Sequence, residues 1–297
     1  MEAYTLIAEV GCNHKGDLAI AKKSIDVATS FCEVRHIKFQ KRSIFEILSE
    51  EDFNRPHPVP HHSYGSTYGE HREALEFSLA QHQELKAYCE AVGAVYSCSV
   101  WGVTALKEII SLKPAYIKIP SAMNTHLQLL NYACEKHSGP IHVSLGMTTR
   151  AEERAILERF RAHGRAKDLV LYACTSGYPI DSSEACLLEV KRLKETYGDE
   201  ILAIGYSGHH NGISLDIAAF TLGATYIERH YTLNRTWKGT DHAASLEPDG
   251  LRRLNRNLAQ LVESLTLKNP EILPVEQAQR EKLKWKGESS KPGDEEA

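Results

Sequence analysis

The sequence predicts a parallel α/β barrel of eight strand–helix units, and three observations predict it. Short apolar runs alternate with longer amphipathic stretches eight times between about residue 5 and residue 265, which is the pattern of consecutive parallel strands joined by helices. Polar and titratable residues gather at the C-terminal ends of those runs, the face on which parallel barrels carry their sites. The turn after the first run, Gly11-Cys12-Asn13-His14-Lys15-Gly16, is not the glycine fingerprint that an open doubly wound sheet places there. Eight units in this length match the ~250 residues typical of a TIM (β/α)8 barrel.

Residues 6–10 read as the first strand, with Glu9 interrupting the apolar run. A carboxylate inside such a run needs compensation. It lies either on an exposed edge or in a site at the barrel mouth, and its place beside the strand end favours the mouth. Residues 18–31 form an amphipathic helix and residues 34–40 the second strand, on which Lys38 and Gln40 share a face by alternation. A strand covered by helices is buried, so Lys38 is a candidate partner for an anionic group. Residues 41–80 make an unusually long connection with three prolines and with His57, His61, His62 and His71. Long connections are often lids or binding loops, although a histidine-rich tract equally suits incidental metal chelation.

Helices at 81–92 and 103–112 flank a strand at 94–99, and residues 116–119 bring Lys118 to a strand end followed by Pro120 and Ser121. A second lysine and a hydroxyl thereby join the mouth. A helix at 127–137 leads to a strand at 141–146 containing Ser144, and the spacing of Thr149 and Glu152 is a capping box that opens the next helix. The strand at 169–173 runs into Cys174-Thr175-Ser176-Gly177-Tyr178-Pro179, followed by a helix at 183–197. Residues 202–207 form the seventh strand, broken at Gly208 just before His209 and His210. A helix at 212–222, stopped by Gly223, precedes the strand at 224–229, which delivers His230 to the same end. The loop carrying Asp241 leads to a final helix at 249–265. The barrel is thus assigned to residues 1–267. Residues 268–297 form a polar, partly disordered extension, most plainly over 289–297, and no second domain is expected.

With 297 residues and 42% hydrophobic content, the chain can build a large core unaided. Its formal charge of −4 gives no electrostatic case for nucleic acid or a membrane surface. A small substrate is the expectation. The seven cysteines are scattered without a CxxC pair, which favours reduced thiols in the cytoplasm. The N-terminus enters an apolar strand with no basic segment or long apolar stretch, so neither secretion nor membrane insertion is expected.

Two histidines on adjacent strand ends suit a divalent metal. Lysines with hydroxyls suit a phosphate or carboxylate. Together, Lys38, Lys118, Ser121, Ser144, Thr175, Ser176, Ser207, His209, His230, Glu9 and Asp241 would suit phosphoenolpyruvate beside a metal, with a carboxylate to move protons during carbon–carbon bond formation.

The motifs EVGCNHKG, KFQ, KIPSAMNT, SLGM, CTSGYP, GYSGHH, ERHYT and KGTDHAAS, in this order along residues 5–265, resemble those of the sialic acid synthases, the N-acetylneuraminate synthases and their nonulosonate-forming relatives. The resemblance implies a TIM barrel that condenses phosphoenolpyruvate with N-acetylmannosamine or a similar N-acyl amino sugar, giving a nonulosonic acid and phosphate with C–O cleavage. It implies His209 and His230 as ligands of Mn²⁺, with Mg²⁺ or Co²⁺ as alternatives, and Glu9, Asp241 and Lys38 as catalytic residues. Lys118, Ser121, Ser144, Thr175, Ser176, Tyr178, Ser207, Gln40 and Asn13 would bind substrate. A homodimer is also implied. The chain departs from the family at Gly208, where Asp is common, and at Met123, where an acid often stands. It resembles a form without the C-terminal antifreeze-like domain. Alternative readings are a legionaminic or pseudaminic precursor, a sugar phosphate held by His71 and Arg72, or a silent barrel acting as a binding partner.

Overall fold

Each predicted apolar run forms a strand in the computed structural model, which describes residues 3–285. The strands are β1 (Thr5–Gly11), β2 (His36–Arg42), β3 (Val95–Trp101), β4 (Ile117–Ile119), β5 (Ile141–Ser144), β6 (Leu169–Cys174), β7 (Ala203–Gly208) and β8 (Tyr226–His230). All pair in parallel in sequence order, and β8 returns to β1 to close the barrel. Alternation decides what each strand presents. Outward residues such as Ala8, Ile37, Cys98, Val143, Leu171 and Ile204 pack with the surrounding helices in one continuous core, while Ile7, Tyr116, Val170 and Tyr172 plug the barrel interior.

The outer helices start where the sequence supplies caps. The Asp17 carboxylate accepts the Ala19 and Ile20 N–H groups ahead of Leu18–Ser30, and capping boxes Ser78/Gln81 and Thr149/Glu152 open Leu79–Ala91 and Arg150–Ala162. The helix expected over 183–197 is broken. Ser182–Glu184 is a 3-10 turn, Cys186 takes a left-handed φ of 46°, and the helix runs only over Leu188–Tyr197. A left-handed residue cannot continue a right-handed helix.

The long connection after β2 is not bare loop. It contains the short helices Ile44–Ile47, Glu50–Asn54 and Tyr68–Ala74 and the 3-10 turn Pro60–His62. The insertion is tied to the loop after β8: the His62 Nδ1 accepts the Gly239 N–H at 3.3 Å, and the Tyr64 hydroxyl donates to the Lys238 carbonyl.

The chain divides into two units, Met1–Ala259 and Gln260–Ala297. In the second, where a polar tail was expected, Pro274–Leu283 is helical, with proline in its first turn. Residues 289–297, expected to be disordered, lie outside the described residues. No helix among the described residues is long and apolar enough to cross a membrane.

Candidate functional site

Parallel register stacks the polar strand residues into layers at the C-terminal mouth. Glu9 lies level with Lys38 on one side and His230 on the other, Ser99 with Lys118, and Ser207 with Glu228. A cavity of about 240 Å³ opens over these layers. It is lined by Glu9, Lys38, Gln40, Lys118, Ser121, Ser144, Ser176, Tyr178, Ser207, His209 and His230, all expected from the sequence.

The floor is a buried quartet of two cations and two anions. Lys38 contacts the Glu9 carboxylate, lies 3.6 Å from Glu228 and donates to the Ser99 hydroxyl at 2.5 Å. The Lys118 Nζ donates to Glu228 Oε1 at 2.5 Å, and the Ser207 hydroxyl donates to the same oxygen at 3.0 Å. The Gln40 amide donates to Glu9 at 2.9 Å, and its own oxygen accepts from Arg42. Burial alone favours the neutral forms of Glu228, Lys38 and Lys118, and their pairing opposes it. Burial pushes the Glu228 carboxyl up, yet Lys118 and then Lys38 pull it well below the usual carboxylate range. Burial lowers Lys38, and Glu228 and Glu9 more than restore it, whereas at Lys118 burial outweighs Glu228 and the pKa falls.

Sequence reasoning missed Glu228. Its signal was its spacing of two from His230, which places both on the inward face of β8.

Beside the floor, the Ser121 and Ser176 hydroxyls crowd Gly146. Its N–H donates to the Ser121 Oγ at 3.0 Å, and a Cβ at this position would lie 2.2 Å from the Ser176 Oγ and 2.7 Å from the Ser121 Oγ. The Ser144 Oγ is buried without a hydrogen-bond partner. A backbone glycine among hydroxyls next to a lysine is a cradle for an anion.

The rim carries the histidines. The His209 Nδ1 donates to the Thr175 carbonyl at 2.8 Å, so its Nε2 presents a lone pair. Burial, reinforced by His230, lowers the His209 pKa to about 3 and keeps the ring neutral. The His230 Nδ1 is buried without a hydrogen bond, and Asp241 Oδ2 is 4.0 Å from it. The two rings are 5.5 Å apart, and Tyr178 lies against His209 at 4.2 Å. Two imidazoles, each with a ring nitrogen free of hydrogen bonds, fit a divalent cation as part of its ligand set. No group of three metal-competent side chains exists among the described residues, so water or substrate would complete that set.

Three expected residues do not line the cavity. Asn13 is buried below the loop after β8 and donates to the Tyr231 carbonyl and the Ser245 hydroxyl, both at 2.9 Å. The Thr175 hydroxyl donates to the Glu184 carbonyl, leaving its own carbonyl to orient His209. Asp241 stands behind His230, accepting from Thr240. The histidine tract forms no metal group: His57 hydrogen-bonds Val59, and the His71 Nδ1 accepts the Tyr64 N–H. Gly208 is packed so closely that a Cβ would lie 2.9 Å from the Tyr206 ring and 3.0 Å from His210, which excludes an aspartate there without movement.

Residues 24–269 match the model described as the NeuB family. The chain is 35% identical to the N-acetylneuraminate-9-phosphate synthase of Homo sapiens over 278 residues, covering 94% of this chain and 76% of that protein. It is 30% identical to the N,N'-diacetyllegionaminic acid synthase of Campylobacter jejuni, covering 89% and 78% respectively. The solved N-acetylneuraminic acid (sialic acid) synthetase of Leptospira borgpetersenii, in complex with citrate, superimposes with a TM-score of 0.79 at 26% identity, over 95% of this chain and 91% of that one. A truncated 3-deoxy-D-arabino-heptulosonate 7-phosphate synthase of Thermotoga maritima, 15% identical with a TM-score of 0.65, shares the barrel. A family match across most of the barrel, joined to the geometry of its mouth, makes the chain an enzyme of the NeuB family.

Proposed function

We propose that the protein condenses phosphoenolpyruvate with an N-acyl amino sugar, N-acetylmannosamine or a close relative, to give a nonulosonic acid and phosphate. The observation that carries this reading is the pair of buried lysines beside an anion cradle, in one cavity with two histidines. Lys38, Lys118, Ser121, Ser144, Ser176 and Ser207 would bind the phosphate and carboxylate of phosphoenolpyruvate. His209 and His230 would hold a divalent cation, Mn²⁺ in the first instance and Mg²⁺ or Co²⁺ otherwise, which supplies Lewis-acid activation of the acceptor aldehyde.

The enol carbon of phosphoenolpyruvate bonds to the aldehyde carbon, whose oxygen takes up a proton. Water adds to the resulting oxocarbenium carbon, and phosphate departs with its bridging oxygen as the keto group forms. Glu9, in contact with Lys38, would exchange the protons of these steps, and Asp241, near His230, would assist. Tyr178 lines the acceptor side. The proposal includes a homodimer in the cytoplasm; sedimentation equilibrium tests the dimer.

A second reading, a phosphorylated acceptor, is favoured by one observation. A side cavity of about 120 Å³ shares Trp101 with the main one and is lined by Arg42, Arg72, Tyr68 and Met123. Arg42 pairs with Glu76, whereas Arg72 donates to the Tyr68 hydroxyl and forms no ion pair within 4 Å among the described residues. His71 does not line this cavity.

The test is phosphate release from phosphoenolpyruvate with Mn²⁺, against N-acetylmannosamine, its 6-phosphate, arabinose 5-phosphate and a 2,4-diacetamido hexose. Release with the first supports the main reading, and release with the 6-phosphate alone supports the second. Binding of phosphoenolpyruvate without release under any acceptor would favour a silent barrel, and full activity after EDTA would refute the metal.

A further inference from the structure

The floor of the site rests on an aromatic layer that the proposed chemistry does not use. Tyr172 projects from β6 into the barrel, fully buried, and the Lys118 Nζ lies 4.0 Å from the centre of its ring. The ring is clamped. Its hydroxyl is hydrogen-bonded to the His142 Nδ1 at 2.8 Å, and His142 stacks on Tyr116 at 4.3 Å while meeting Tyr226 edge-on at 4.9 Å. On the neighbouring strand, Gly205 stands level with Tyr172, and a Cβ there would lie 2.5 Å from the ring. The glycine makes room for the tyrosine, and the tyrosine forms a platform under the ammonium.

We infer that Tyr172 is a positioning residue for Lys118. An ammonium out of water needs more than one partner to stay charged and fixed. Glu228 satisfies one N–H of Lys118, and the Tyr172 face supplies a second attraction. Cation–π attraction is strongest where both groups are desolvated, as here. With its stem confined between carboxylate and ring, Lys118 directs its remaining donors toward the cavity. The inference rests on the proposed function in taking the ligand of Lys118 to be phosphoenolpyruvate.

Two variants separate this role from core filling. Tyr172→Phe keeps the platform and loses the His142 bond; Tyr172→Leu keeps apolar bulk and loses the π face. The dissociation constant of phosphoenolpyruvate, measured by calorimetry, should stay within about threefold in the first and rise about ten- to thirtyfold in the second, with the acceptor KM unchanged. In a Lys118→Ala background, Tyr172→Leu should add less than about threefold, since coupled residues lose their effect together.

A weakening that persists fully without Lys118, or one equal in Phe and Leu, overturns the inference. NMR of protein labelled at the lysine ε-carbons gives a readout without ligand: the Lys118 methylene should be shifted upfield by the ring, in wild type and Tyr172→Phe but not in Tyr172→Leu. No such shift in wild type refutes the positioning; the shift without phosphoenolpyruvate binding refutes the proposed function and retains the positioning.

Discussion

Glu228→Gln tests the charge balance of the floor with almost no change of shape. In the wild type, two lysines face two carboxylates inside the barrel, and Glu228 reaches both lysines, Lys118 at 2.5 Å and Lys38 at 3.6 Å. The amide leaves one buried positive charge unmatched. Breaking a buried pair from one side costs about 3–5 kcal/mol, and a chain of this size loses about 2 °C in Tm per kcal/mol. Scanning calorimetry should therefore give a Tm about 6–10 °C lower.

The pH dependence of that gap follows from the sign of the shift. The Glu228 carboxyl is held well below its ordinary range, so its stabilisation is complete above the unfolded value, about 4.3, and fades only as pH falls below it. The gap between variant and wild type should hold from pH 7 to pH 5 and shrink under more acid conditions. Inorganic phosphate, an anion for the unmatched lysine, should raise the variant's Tm more than the wild type's. A variant with wild-type Tm, or one indifferent to phosphate, would refute the account of the floor as a balanced quartet.

Three further outcomes are expected. His209→Ala should abolish Mn²⁺-dependent phosphate release while leaving the far-ultraviolet circular dichroism unchanged; substantial residual turnover would count against a histidine-held metal. Gly146→Ala places a methyl group among the Ser121 and Ser176 hydroxyls and should weaken phosphoenolpyruvate at least about tenfold, read by calorimetry. Buried His14 and His82 are each lowered to about 3, burial being the main cause. The unfolded chain binds their protons first, so stability should decline as pH falls from about 6.5 toward 3, by about 2 kcal/mol per histidine at pH 5; urea unfolding at pH 7 and pH 5 checks this, and equal stabilities would contradict it.

The barrel was legible because its signals are local: an apolar run, a cap, a break. Lys38 and Lys118 could be assigned inward because a buried strand has only two faces. The same rule was available for Glu228, but the eye stops at His230, whose position at the strand end is the more conspicuous cue. Asn13 and Thr175 fail differently. They sit in the right turns, yet their side chains are held by Ser245 and by the Glu184 carbonyl, and such long-range partners leave no mark in local sequence. The outward pairing of Arg229 with Asp216 is hidden in the same way. Within the insertion after β2, the capping box Thr67/Glu70 was readable, but helices of a few residues carry too little periodicity to show.

The cavity is lined by Lys38, Lys118 and Glu228, all buried, and by Tyr178, which is about half exposed beside His209 and His230. An acceptor bound against Tyr178 would stand between solvent and the buried lysines. On the proposed function, the phosphate donor would then enter before the acceptor sugar, and phosphate would leave after the other product. Order of entry and exit would then follow from the arrangement of the cavity itself, and initial-rate and product-inhibition kinetics should carry its signature.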